Sequence, residues 1–398
     1  SNLNKPSFKR EGYAVKLGYG KTSYFDVIIF RGRDLIGSIK EPLFSSITPE
    51  ENLIVAFAAK RVITKNLFFS FDVAGSAYTY DRNSEVIPLG TSDYTKYLFK
   101  VFIPRVSTKF KSASDASINY SGKVFSCVLK YNRIEPFFKS MGTYYTTTDI
   151  ETFGIVPTLS LFNNKVRLYA SLEQSHDNLL KLKPVTNKIQ NLNSSISMTN
   201  KNFGIDGNYG MNKNFPVKTY ENVSDSLMFH QNTNQVSITP RLNFFSKRCI
   251  NNTSLTVALQ ESEFSSISYN SKNTYQSAFI NHTISSVKNG FQLTAGGNFS
   301  ESKQSVFNSQ TYGVSLSTGK PFFKKKVSVN LGGNFNYVLY NHVKTNTSLN
   351  LSQTISIKLG KMHTFSFSAF ELLNKSLINT SSPDHQEAKV NAAYNFIF

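Results

Sequence analysis

Tryptophan is absent from this sequence, and cysteine occurs only twice in 398 residues, at Cys127 and Cys249. Two such distant thiols are a weak redox signal and no disulfide framework. Cys127 shares the parity of Phe125, Leu129 and Tyr131, so it reads as a small hydrophobe in a strand rather than as a bridge to Cys249. Charge is also scarce: Asp, Glu, Lys and Arg make up 17%, below the ~25% of soluble domains. No apolar run approaches the ~18 residues of a spanning helix, and one of the longest, Leu53–Ala59, stops at seven. In lipid, every backbone group must be satisfied, and only helices and closed barrels do that. With helices excluded, a membrane placement requires a barrel.

Catalytic and cofactor motifs are missing as well. The six histidines are spread from His176 to His385 without metal-ligand spacing. No H-E-x-x-H, G-x-S-x-G or phosphate-binding loop occurs. His176-Asp177 and Asp384-His385 are the adjacent acid–His pairs, and both read as solvated loop edges. Arg33-Asp34, Glu50-Glu51 and Asp81-Arg82 read as loop charges. The expectation is a non-enzymatic chain with no catalytic residue, metal or cofactor.

What the chain does have is aromatics (34 Phe and 20 Tyr), abundant Asn, Ser and Thr, and a period of two. Val327, Val329, Leu331, Gly333, Phe335, Tyr337 and Leu339 alternate with Ser328, Asn330, Gly332, Asn334 and Asn336. In a strand, alternate side chains share a face, so one face is apolar and the other polar. Nineteen segments, from 12–20 to 385–398, follow this rule. Several exceed the ~5–6 residues usual in soluble strands and reach the ~9–11 that cross a bilayer. Short turns alternate with longer connections at 33–51, 81–112, 134–148, 176–187, 213–230 and 375–384. The expected fold is all-β: a transmembrane antiparallel up-and-down β-barrel of about 18–20 strands, apolar face outward. No composition break divides residues 1–398, which read as a single domain. Bacterial single-chain barrels carry even strand numbers, so with nineteen one strand is missing, merged or over-read, and a missing partner upstream of 12–20 would fit a truncated N-terminus. The chain starts at Ser1 with no initiator Met or signal peptide, as a processed chain or a fragment does.

The 81–112 connection contains Tyr97, Phe99, Phe102 and Ile103, too apolar for a free loop. It is expected to fold into the lumen as a constriction, to dock a partner, or to be a further strand. Lys130, Arg167, Glu173 and Lys358 fall on polar parity and are candidate lumen charges, lining a pore or pairing across it. The net charge is +19, which admits nucleic acid, anionic lipid or acidic ligands as partners. The lysines read as scattered, with Lys324-Lys325-Lys326 as the densest run, so nucleic acid is not expected. Outer-membrane lipid and lipopolysaccharide are the simpler partners.

The last ten residues place Val390, Ala392, Tyr394, Phe396 and Phe398 on one parity. This segment resembles the C-terminal strand of bacterial outer-membrane β-barrels, which typically finishes on Phe. An aromatic-ended strand can pair with the edge of an assembly machine. Tyr394, Phe396 and Phe398 are therefore candidate recognition residues for the barrel-assembly machinery, with the C-terminus periplasmic. Residues 12–180 also resemble large outer-membrane barrels of Bacteroidota. The resemblance rests on Gly12–Lys21 with Tyr24-Phe25-Asp26, on Thr48–Asn52, on Tyr131–Gly142 and on Gln174–Leu179. It implies the fold and the bacterial outer membrane, and membership of multi-protein complexes for protein export, barrel assembly or nutrient capture. The long connections, the apolar loop segment and the lack of a catalytic constellation suggest a scaffold or accessory subunit of such a complex. Other outer-membrane proteins or lipoproteins would then be partners. The alternative is a passive diffusion channel for small polar or anionic solutes.

Overall fold

The computed structural model describes residues 7–39, 47–88, 101–143, 147–304, 307–360, 363–377 and 384–396. Every segment expected to be a strand is one, and together they form one antiparallel sheet of nineteen strands. The opening strands are β1 (Arg10–Gly20), β2 (Tyr24–Asp34), β3 (Glu51–Thr64), β4 (Leu67–Thr79), β5 (Thr108–Ser121) and β6 (Phe125–Ile134). Next come β7 (Ile150–Leu161), β8 (Val166–His176), β9 (Val185–Thr199), β10 (Phe203–Lys218), β11 (His230–Phe245) and β12 (Cys249–Ser265). The chain finishes with β13 (Asn270–Ser286), β14 (Gln292–Lys303), β15 (Asn308–Phe322), β16 (Val327–Tyr340), β17 (Val343–Leu359), β18 (His363–Ser376) and β19 (His385–Phe396). Strands of 10 to 17 residues in next-neighbour order are the architecture of up-and-down transmembrane barrels.

The chain divides into two compact units. The first comprises residues 1–158, 171–191 and 214–228, the second residues 159–170, 192–213 and 229–398. In the first, register places Leu17 opposite Val27, and Phe57 opposite Val27 and Val73. Residues opposite one another in an antiparallel pair share a face. This apolar row runs from β1 to β4. The opposite face carries Asp26, Ala58, Asp72, Asp115 and Asn132 at one level of β2 to β6. In the second unit, Leu316 and Val314 of β15 lie opposite Gly333 and Phe335 of β16. Phe299, Tyr312 and Tyr337 form an aromatic row on the same face, with centroids 5.0 and 5.2 Å apart.

Burial decides which way the apolar face points. Among the described residues only Ile54, Ala77, Tyr78, Phe102 and Phe138 are buried hydrophobics, all in the first unit. Val314 and Leu316 are 62% and 58% exposed. A soluble sheet protein hides such a face in a core. Here many apolar side chains, Val314 and Leu316 among them, lie exposed on the sheet face, an arrangement that a hydrocarbon surrounding would accommodate.

The turns after odd-numbered strands share a further property. Lys21, Lys65 and Lys123 follow β1, β3 and β5 in the first unit. In the second unit Lys165, Lys201, Lys247-Arg248, Lys288 and Lys324-Lys325-Lys326 follow β7, β9, β11, β13 and β15. Lys361, after β17, lies outside the described residues. The cations look scattered along the sequence, but within each unit the hairpin repeat returns the described ones to one end of the strands.

Candidate functional site: the polar face and the segment across it

On the polar face of the second unit most side chains are neutral and bond to one another, with Arg241 and Asp206 paired there at 2.6 Å. Thr239 meets Thr256 at 3.0 Å, Thr283 meets Thr294 at 2.9 Å, and Asn346 donates to Asn374 at 3.3 Å. Glycines leave room for the amides. A Cβ at Gly313 would stand 1.9 Å from Asn336 Oδ1 and 2.4 Å from Asn298 Oδ1, and these two amides bond to each other at 3.5 Å. The result is a hydroxyl- and amide-lined wall with its own lateral hydrogen bonds.

In the first unit the same face is charged. Lys16 Nζ lies 2.8 Å from Asp26 Oδ2, and Asn132 donates to Asp115 at 3.3 Å. Of the four charges expected on the polar face, Lys130 and Glu173 come together at 3.8 Å, with Gly154 beside both. Arg167 and Lys358 are exposed, and among the described residues neither has an ion pair.

A segment of the β6–β7 connection crosses this polar face, as sequence reasoning did not foresee. Asn52, with no exposed area, organises it. Its Oδ1 accepts the Met141 backbone N–H at 3.1 Å, and its Nδ2 donates to Ser76 Oγ at 2.8 Å and to the Ala77 carbonyl at 3.2 Å. Ser76 Oγ donates in turn to the Lys139 carbonyl at 2.6 Å. Met141 packs against Gly32, where any Cβ would meet it at 3.0 Å. Phe138 is buried between these attachments. Lys139 Nζ stands 4.8 Å above both the Tyr78 and the Tyr80 rings and 3.4 Å from Glu50.

Glu50 and Glu51, read from sequence as loop charges, are hubs of ion pairs. Glu50 is held by Arg10 at 3.3 Å, by Lys139 and by the Tyr78 hydroxyl at 2.5 Å. Glu51 lies on the other face of β3, bonded to Arg31 at 2.6 Å and facing Arg82 at 3.5 Å. Asp34 is buried, and Arg10 holds it at 2.8 Å. Glu50, Glu51 and Lys139 lie among the residues that carry the sequence resemblance, whereas Arg10, Arg31, Asp34, Tyr78 and Arg82 do not.

Arg82 begins the 81–112 connection. Its described stem is pinned by the Arg82 N–H to the Pro49 carbonyl and by a lone bridge between Val86 and Arg105. Phe102 is 5% exposed and Ile103 39%. Tyr97 and Phe99 lie outside the described residues. A second loop cluster joins the β6–β7, β8–β9 and β10–β11 connections. Lys183 Nζ lies 2.6 Å from Asp149 and 3.1 Å from Asp177, while Asn178 bonds to Thr186 and Thr219. Burial pushes the Asp149 carboxyl up, but Lys183 and the backbone N–H groups of Leu179 and Asn178 outweigh it and leave the pKa lowered. Hydrogen bonds to Asp149 and Asp177 raise the Lys183 ammonium. His176 and Asp177 thus sit in a structural lock, His176 lying 3.6 Å from Glu151. Asp384 accepts the Ser376 backbone N–H at 3.0 Å.

At the C-terminus, Tyr394 and Phe396 are exposed on one face of β19 with Val390. His363 contacts both, through a 2.5 Å bond to the Tyr394 hydroxyl and a 4.8 Å ring contact with Phe396. Phe398 lies outside the described residues.

No protein-family model and no curated protein matches the chain. Among solved structures it is similar to OccAB4 of Acinetobacter baumannii, at 9% identity over 99% of each chain with a TM-score of 0.43. Pseudomonas aeruginosa OccK8 (OprE) matches at 11% identity over 98% of this chain and 99% of that one, with a TM-score of 0.43. A BenF-like porin from Pseudomonas fluorescens Pf-5 matches at 9% identity over 98% and 100%, with a TM-score of 0.41.

Proposed function

We propose that this chain is a non-enzymatic bacterial outer-membrane β-barrel that gives small polar solutes a passive route across the membrane. The observation that carries this reading is the polar face of β11–β18. Its Asn, Ser and Thr side chains bond laterally and leave polar atoms for water and solute. The charges on the polar faces are partly paired, Arg241 with Asp206 in the second unit and Lys130 with Glu173 in the first. The wall therefore favours neutral and weakly charged solutes over strongly anionic ones. Reconstitution of the purified chain into planar bilayers tests this. Discrete conductance steps with a reversal potential near zero in a KCl gradient are expected, and a bilayer that stays silent would remove the channel reading.

A scaffold or accessory role has separate support. Ile36, Val106 and Phe137, at the long-connection end of the first unit, are 58%, 69% and 51% exposed. They stand on segments that ion pairs hold in place, which suits docking of another outer-membrane protein or lipoprotein. Mild-detergent purification from native membranes should then yield a complex; a lone monomer counts against it. The His363–Phe396 register brings the C-terminus to the end with the charged short turns, and short turns are periplasmic in barrels of this class. In this reading Tyr394, Phe396 and Phe398 address the assembly machinery.

A further inference from the structure

The turns after odd-numbered strands hold twelve Lys or Arg, counting Lys361, and no Asp or Glu. They supply +12 of the chain's net +19. Every described one of these cations is exposed, and among the described residues none of them makes an ion pair. Carboxylates concentrate toward the other end of the strands, at Asp34, Glu50, Glu51, Asp149, Glu263 and Glu301. In the second unit, successive turns of this series are about 10 Å apart, two strand spacings. That is slightly beyond the ~8 Å Debye length at physiological salt, so the strongest repulsion lies within a turn, between Lys247 and Arg248 and along Lys324-Lys325-Lys326, unless an anion lies across them.

Two further observations say what kind of anion. The turns are flanked by exposed aromatics: Phe244 and Phe245 before Lys247, and Phe322 and Phe323 before Lys324. Lys320 on the apolar face lies with its Nζ 5.1 Å over the Phe322 ring. Aromatic rings beside long cationic side chains are the chemistry of a lipid–water boundary, where the stem stays in apolar surroundings and the ammonium reaches the headgroups. Turn geometry also argues that the charge itself is wanted. Phe323, Lys324 and Lys325 have φ of 48°, 54° and 69°, a region that favours Gly and Asn. The turn after β7 uses Asn163 and Asn164 in that conformation; the turn after β15 uses lysines.

We infer that the odd-strand turns of the second unit form a basic edge that binds anionic phospholipid headgroups in the leaflet at that end of the barrel. Polybasic segments at a membrane surface are attracted to anionic lipid in this way. The inference requires the membrane placement but not the channel, so a silent bilayer recording leaves it standing. It also puts the basic charge at the end opposite the long connections, whereas lipopolysaccharide contacts would need it among them.

Native mass spectrometry of the full chain, released from detergent with equal phosphatidylglycerol and phosphatidylcholine, tests it. The wild type should retain at least threefold more phosphatidylglycerol. Two variants, Lys247→Gln/Arg248→Gln/Lys288→Gln and Lys324→Gln/Lys325→Gln/Lys326→Gln, should each reduce that preference by at least half. The control Lys181→Gln/Lys344→Gln/Lys375→Gln, at the other end, should keep it. Equal retention of both lipids by the wild type, or full preference in both folded variants, overturns the inference. Polyglutamate binding that the turn variants abolish, without lipid preference, would overturn it in favour of an acidic soluble partner.

Discussion

Replacing Asn52 by alanine should free the segment that crosses the polar face while sparing the strands. The side chain makes three hydrogen bonds, to Met141, Ser76 and Ala77, with none of its area exposed. A hydrogen bond contributes about 1 kcal/mol net, and a buried group left without its partner costs about 1–3 kcal/mol. Only the Met141 N–H bond ties the segment directly to Asn52, and Ser76 still holds the Lys139 carbonyl. The local opening energy of the segment should therefore fall by about 1.5–3 kcal/mol. At about 1.4 kcal/mol per factor of ten, the Met141 amide should exchange with solvent roughly 10–100-fold faster. Amides of β15 and β16, which lack contact with Asn52, should change less than about twofold, since exchange reports local opening. Hydrogen–deuterium exchange in micelles reads both, and single-channel conductance should rise if the segment narrows the route. Asn52→Asp tests the same logic, because it keeps an acceptor for Met141 and removes the donor to Ser76. An Asn52→Ala protein with unchanged exchange at Met141 would refute the assignment of Asn52 as the anchor.

The Asp149–Lys183 lock should depend on pH at both extremes. The Asp149 pKa is lowered on folding, so its contribution is full above the unfolded value near 4 and is lost as pH falls through the folded value. The Lys183 pKa is raised, so its contribution is full below about 10.4 and is lost as pH rises through the folded value. Proteolytic nicking near residues 177–184 should increase below pH 4, and Lys183→Met should bring that sensitivity to neutral pH at a cost of about 1 kcal/mol. Gly313→Ala should push the Asn298 and Asn336 amides apart and cost about 1–3 kcal/mol by overpacking, measured by urea unfolding in vesicles. Phe398→Ala should lower the yield of membrane-inserted protein; an unchanged yield would contradict its role as an assembly signal.

The period-two rule is local, and local information is what a sequence displays. The alternation across Val327–Leu339 determined a strand, its two faces and its length before any partner was known. Repeated nineteen times without a helix, it determined the all-β class, and the apolar parity of Val390, Tyr394 and Phe396 reappears on one face of β19. Strands this long pointed to lipid on the apolar side; Leu316 and Val314 on that side are exposed.

Register and loop placement had to await the tertiary structure. Met141 meets Asn52 across 89 residues, and nothing near either residue in the chain announces the other. Glu50 and Glu51 are adjacent in sequence, yet strand pleating sends them to opposite faces and different cationic partners. The basic turns of the second unit lie one hairpin or more apart along the chain, and only the up-and-down return of the strands gathers them at one end. Pairing of distant segments is a property of the sheet, because each strand's neighbours are chosen by register and not by proximity in sequence.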